Sequence, residues 1–143
     1  MHGKILVVDD DPNLLRLVCL NLIQAGFAIS TATNGIDAIK KAQLAPPDLI
    51  LLDVLMPGLD GFAVCETLRE SPATASIPIL MLTGLHSHIS RLTGMAYGAT
   101  DYLLKPFDPE QLVSKVETLL YQPGVFQKAP GEPGKRPVAV QSQ

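Results

Sequence analysis

Blocks of apolar positions alternate along this chain with amphipathic stretches. The first block, Ile5-Leu6-Val7-Val8, is too short for a helix core and reads as a buried strand. Asp11-Pro12 then supplies the N-cap and first-turn residues of a helix. Leu14, Leu15, Val18, Leu22 and Ala25 recur at helical spacing, and Gly26 stops the pattern. A second strand is expected over Phe27–Ala32, a turn at Asn34-Gly35, and a short helix carrying Ile36, Ile39 and Ala42 before Pro46-Pro47. Asp48–Leu52 is apolar after its first residue, as a strand covered on both faces must be. A loop over Asp53–Asp60 and a helix over Gly61–Glu70 follow. A fourth strand spans Ile77–Leu82, with Pro78 near its start, where a missing N–H is tolerated. A helix over Ser87–Tyr97 is closed by Gly98, and a fifth strand covers Thr100–Leu104. Asp108-Pro109 begins a last helix through Leu120, with Leu112, Val116, Leu119 and Leu120 on its core face.

Strand and helix alternate five times. That order predicts an α/β fold, a doubly wound five-stranded parallel sheet with five helices and right-handed crossovers. In such sheets function sits outside the carboxyl ends of the strands. From Gln122 onward Pro and Gly break every pattern, so residues 3–121 are expected to form the domain and 122–143 a flexible tail or linker.

Composition narrows the classes. With 47% hydrophobic residues the chain has material for a core, and its net charge of -3 offers no basic footprint for nucleic acid. Apolar runs are far short of a membrane span, and no signal peptide precedes the first strand, so a cytoplasmic location is expected. Cys19 and Cys65 sit in apolar helical patterns and read as small buried hydrophobes.

Polar residues fall directly after four predicted strands: Asp9 and Asp10 after the first, Asp53 after the third, Thr83 after the fourth and Lys105 after the fifth. Three carboxylates at one sheet edge repel one another and call for positive charge. Mg²⁺, a hard cation that takes oxygen ligands and one or two carboxylates, fits that need. Lys105 adds a mobile point charge and Thr83 a hydroxyl donor. The set is suited to phosphoryl transfer, with Asp53 as the nucleophile that forms an acyl phosphate. Any one of these residues alone reads as a cap or loop residue, as Asp11 does; their joint occurrence at four strand ends carries the inference.

The segments Lys4–Pro12, Leu52–Gly61, Leu82-Thr83-Gly84 and Gly98–Phe107 together resemble the motif set of bacterial two-component response-regulator receiver domains, over residues 4 to about 121. The resemblance implies a flavodoxin-like sheet of strand order 2-1-3-4-5. That order comes with the resemblance and is not read from the residues. It implies that Asp53 is the phosphoacceptor. It also implies Asp10 and Asp53 as direct Mg²⁺ ligands, Asp9 acting through water, and the backbone carbonyl of Leu55 completing the set. Thr83 and Lys105 would contact the phosphoryl oxygens, and Tyr102 matches an aromatic switch position that turns inward with the Thr hydroxyl. A cis Lys105-Pro106 bond is usual in the family. The implied partner is a histidine kinase or phosphotransfer protein. The implied output is a face formed by the fourth helix, fifth strand and fifth helix, with no turnover of an external substrate beyond self-phosphorylation and self-dephosphorylation.

Some positions depart from the pattern. Gly84 stands where Ala is commoner. Leu55 and Leu85 match two positions that in the resembled family tune acyl-phosphate hydrolysis, and being apolar they predict slow loss of the phosphoryl group. Arg91, Asp101 and Lys115 partly resemble the charged pairing face of receivers fused to winged-helix domains, which implies an activation-linked homodimer, although Tyr121 and Gln122 stand where basic residues often close the last helix in that family. His86 and His88 are two apart, do not share a helix face, and read as loop residues. An Asp-nucleophile phosphatase would need a general acid two residues after Asp53, and position 55 is Leu.

Overall fold

A computed structural model describes residues 3–84 and 93–121. His86, His88, Leu85, Arg91, the first part of the expected Ser87–Tyr97 helix and the tail from Gln122 lie outside the described residues. Strands β1 (Lys4–Val8), β2 (Ala28–Ala32), β3 (Leu49–Asp53), β4 (Ile79–Thr83) and β5 (Asp101–Leu104) form one parallel sheet of order β2-β1-β3-β4-β5. Helices α1 (Pro12–Gln24), α2 (Gly35–Leu44), α3 (Gly61–Glu70), the helical residues 93–96 (α4) and α5 (Pro109–Tyr121) connect and follow the strands.

The period-two geometry of the strands divides the core. Leu6, Val8, Ile50, Leu52, Ile79 and Met81 face one side, where Ala38 and Ala42 of α2 and Val64, Cys65 and Leu68 of α3 pack on them. Ile5, Val7, Leu49, Leu51, Leu80, Leu82 and Leu103 face the other, under Val18 and Leu22 of α1 and Leu112, Val116 and Leu119 of α5. β3 and β4 are buried along their whole length. Each such Leu or Ile contributes about 1.5–3 kcal/mol relative to leaving it in water.

Caps fix the helix starts. The Asp11 carboxylate accepts from the Asn13 N–H and the Asp60 carboxylate from the Ala63 N–H. The Asp108 N–H donates to Gln111 Oε1, the return arm of a capping box at α5. Asn34-Gly35 is not the expected turn: Asn34 is the N-cap of α2, its side chain accepting from the Asp37 N–H at 2.8 Å, and Gly35 is the first helical residue. Other differences are at strand ends. Phe27 lies outside β2 because its N–H is spent on the Leu22 carbonyl. β4 starts after Ile77 and Pro78, and β5 starts one residue after Thr100. Asp48 precedes β3, where its carboxylate accepts from the Lys4 N–H.

At the edge of the sheet where β4 and β5 begin, Arg69 at the end of α3 serves as a tie. Its guanidinium donates to the carbonyls of Gly98 (2.8 Å), Ile77 (2.7 Å) and Ala75 (3.0 Å), and at longer range to the Thr74 carbonyl and Thr100 Oγ1. Gly98 has φ +109°, and a Cβ there would stand 2.7 Å from Arg69 Cγ, so both the backbone and the packing require glycine.

Candidate functional site

The sheet register brings the site together. Val8 lies beside Leu52, Asp53 beside Leu82, and Thr83 beside Leu104. One step further along each strand therefore places Asp9, Asp53, Thr83 and Lys105 on adjoining strands at the same carboxyl edge. Asp53 is not the first loop residue, as expected, but the last residue of β3. Its strand position gives it a fixed backbone and a side chain that is only 6% exposed. The chain then turns closely back on itself. Gly61 N–H donates to the Val54 carbonyl, and a Cβ at Gly61 would stand 2.5 Å from the Asp53 carbonyl oxygen.

One carboxylate oxygen each from Asp9, Asp10 and Asp53 lies within 4.8 Å of the others; Asp9 and Asp53 are buried and Asp10 is exposed. Asp9 Oδ1 accepts from the Asp11 N–H at 2.9 Å, which aims the carboxyl group, while Asp9 Oδ2 is buried without a hydrogen-bond partner. Lys105 Nζ donates to Asp53 Oδ1 at 2.8 Å. Burial pushes the Asp53 carboxyl above its ordinary 3.8, against the pull of the Lys105 ammonium and the Leu55 N–H, with Asp10 adding repulsion. Burial likewise raises Asp9, opposed by the Asp11 N–H and helped by the charge of Asp53. An orphaned buried carboxylate oxygen facing two further carboxylates is a hard-oxygen donor set short of positive charge. That is the chemistry Mg²⁺ satisfies, so the residues fit the ion.

The remaining expected site residues are placed as follows. Thr83 is buried, and among the described residues its hydroxyl reaches only the Gly84 carbonyl, at a long 3.4 Å. The Leu55 side chain is 77% exposed at the mouth of the site. Tyr102 is on β5, partly buried, with Lys115 Nζ 5.6 Å from its ring centre. Lys105-Pro106 is cis. Asp101 and Lys115 are paired with each other within the chain at 2.9 Å. Cys65 is buried and Cys19 half-buried, both free thiols. Sequence reasoning missed two supporting groups. The Asp11 N–H that orients Asp9 was foreshadowed by the Asp-Asp-Asp run, read there only as a cap. Arg69 left no signal, because its partners are backbone carbonyls.

Comparison with known proteins agrees with this geometry. The family model described as response regulator receiver domain matches residues 5–117. The DNA-binding dual master transcriptional regulator RpaA of Synechocystis is 45% identical over 117 residues, covering 82% of this chain and 48% of that protein. The alkaline phosphatase synthesis transcriptional regulatory protein PhoP of Bacillus subtilis is 42% identical over 120 residues, covering 84% and 49%. The chain thus spans about half the length of these curated relatives. Among solved structures, a putative response regulator from Chloroflexus aurantiacus superposes with TM-score 0.82 at 37% identity, covering 85% of this chain and 99% of that one. The Vibrio cholerae chemotaxis protein CheY4 gives 0.79 at 38% identity, covering 84% and 100%. With its sheet order, its strand-end acids and a family match over nearly all of the described residues, the chain belongs to the response-regulator receiver family, the phosphorylation switches of two-component signalling.

Proposed function

We propose that this chain accepts a phosphoryl group on Asp53 from the phosphohistidine of a histidine kinase or phosphotransfer protein, in the cytoplasm, with Mg²⁺ held by Asp9, Asp10, Asp53 and the Leu55 carbonyl. An Asp53 carboxylate oxygen attacks phosphorus and the donor's N–P bond breaks. The imidazole leaves with the electron pair, and an acyl phosphate remains on Asp53. Mg²⁺ held by these groups would supply positive charge to the transferring oxygens. Lys105 holds Asp53 in place before transfer and neutralises a phosphoryl oxygen after it. Thr83, whose hydroxyl makes one long bond among the described residues, turns it to another phosphoryl oxygen, and Tyr102 follows toward the space this vacates. The response spreads to the face of α4, β5 and α5. The chain is a switch and turns over no external substrate.

The observation that carries this reading is the 2.8 Å Lys105–Asp53 contact inside a three-carboxylate cluster whose Asp9 Oδ2 has no partner. The test is intact mass after incubation with acetyl phosphate and Mg²⁺. Wild type should gain one phosphoryl group, lost on base treatment, and Asp53→Asn should gain none. Equal labelling of both proteins would defeat the assignment. Activation-linked pairing through the α4–β5–α5 face is proposed with it; a monomer by light scattering with and without beryllium fluoride would count against that part.

A further inference from the structure

Lys115 occupies an unusual place on the output face. β5 is an edge strand, and its side chains alternate between the two faces of the sheet. Leu103 points into the core beneath α5, so Asp101 lies on that same side and Tyr102 on the other. Lys115, projecting from α5, reaches the strand edge between them. Its ammonium donates to Asp101 Oδ2 at 2.9 Å and lies 5.6 Å from the centre of the Tyr102 ring. One cation therefore touches a carboxylate from the near face and an aromatic ring from the far face. The Asp101 carboxylate is itself held, since its Oδ1 accepts from the Tyr102 N–H at 2.8 Å. Asp101, Tyr102 and Lys115 are thus linked to one another at the strand edge.

The geometry points to Lys115 as a positioning residue that sets the resting bias of the switch, by holding the Tyr102 ring at the strand edge while Asp101 fixes the ammonium. This inference rests on Asp53 phosphorylation as the trigger and on Tyr102 as the group that moves. An ammonium within about 6 Å of an aromatic ring favours the ring position that faces it. A phosphorylated state that draws Tyr102 inward must give that contact up. Removing the cation removes a bias present only in the resting state, so the activated state becomes easier to reach by about two- to fivefold, the range such contacts give at half-exposed sites.

The test uses the full chain labelled with 3-fluorotyrosine. It contains three tyrosines, so Tyr102→Phe assigns the resonance. Spectra are taken with and without beryllium fluoride and Mg²⁺. In the resting state, Lys115→Gln should move the Tyr102 resonance part of the way toward its beryllium-fluoride position. It should also bind beryllium fluoride about two- to fivefold more tightly than wild type. Lys115→Arg, which keeps the cation, should restore both values, which loss of packing alone would not predict. If wild type shifts with beryllium fluoride but Lys115→Gln leaves both the resting resonance and the affinity unchanged, the role of Lys115 is overturned. If wild type neither shifts nor takes up phosphoryl groups from acetyl phosphate, the phosphoacceptor reading itself fails and this one with it.

Discussion

Replacing Arg69 by Met tests how firmly the β4 and β5 starts are held. The aliphatic stem is kept, and the donors to Gly98, Ile77 and Ala75 are lost. A hydrogen bond from a charged donor is worth about 1.5–3 kcal/mol net. The bonds to Gly98 and Ile77 are short and partly buried, so they carry most of the effect; the Ala75 carbonyl is exposed and regains water. Burial of the guanidinium, which lowers the Arg69 pKa, is a cost that the substitution removes. The balance is a loss of about 3 kcal/mol, a large share of the roughly 5–15 kcal/mol that holds a domain together. With a urea slope of about 1–3 kcal/mol/M, the unfolding midpoint should fall by roughly 1–3 M. Gly98→Ala sets a Cβ against Arg69 Cγ and Nε and so displaces the donor to the Gly98 carbonyl; part of its cost is a bond that Met has already given up, so a double-mutant cycle should show coupling, with the residual cost in the Met background reporting the positive φ and the Cγ contact that Met keeps. A midpoint change under about 0.3 M for Arg69→Met, or additive costs in the cycle, would refute the view that this side chain holds the strands.

In the metal-free protein, Asp9→Asn should stabilise the fold at neutral pH by on the order of 1 kcal/mol, read by urea unfolding. Because burial raises the Asp9 pKa above 3.8, the folded state binds its proton more tightly than the unfolded state does, so the wild-type penalty is full above the raised pKa and fades as pH falls toward 3.8. The Asn advantage should shrink over that same window and also with added Mg²⁺. Lys105→Met should slow phosphorylation of Asp53 by about a hundredfold in a timed mass assay, and should destabilise the metal-free fold, because buried Asp53 loses its ammonium partner beside Asp10. The wild-type acyl phosphate should persist for minutes or longer in Mg²⁺, since an apolar Leu55 orients no water; Leu55→Asn should shorten its lifetime about tenfold, followed by Phos-tag electrophoresis.

Much of this architecture is legible in the residue pattern. The runs at Ile5–Val8 and Leu49–Leu52 announce buried strands, and Asp9, Asp53, Thr83 and Lys105 directly follow such runs or end them, so the edge that gathers them follows from topology. Asn34-Gly35 was misread because an Asn side chain that closes a turn accepts the same kind of N–H when it caps a helix, and only the downstream helix distinguishes the two. The boundary at Asp53 was hidden for another reason. A strand's last residue is defined by its neighbours' hydrogen bonds, here Val54 N–H to the Leu82 carbonyl, and no local pattern shows that. Arg69 was invisible because any residue supplies a carbonyl. The Lys115–Tyr102 contact depends on a reach around the sheet edge that spacing along the chain does not encode.

The full burial of β3 and β4 has a consequence for the newly made chain. Leu49-Ile50-Leu51-Leu52 and Ile79-Leu80-Met81-Leu82 are uncharged segments of the kind that self-associate as stacked strands before the sheet closes over them. Asp48 and Asp53 bracket the first, and Pro78 precedes the second, so each run is flanked by a charge or a proline that discourages such stacking. Asp53 of the candidate site thus doubles as a gatekeeper during synthesis. An apolar replacement at position 53 extends a sticky run as well as removing the acceptor, and would be recovered in inclusion bodies more readily than Asp53→Asn.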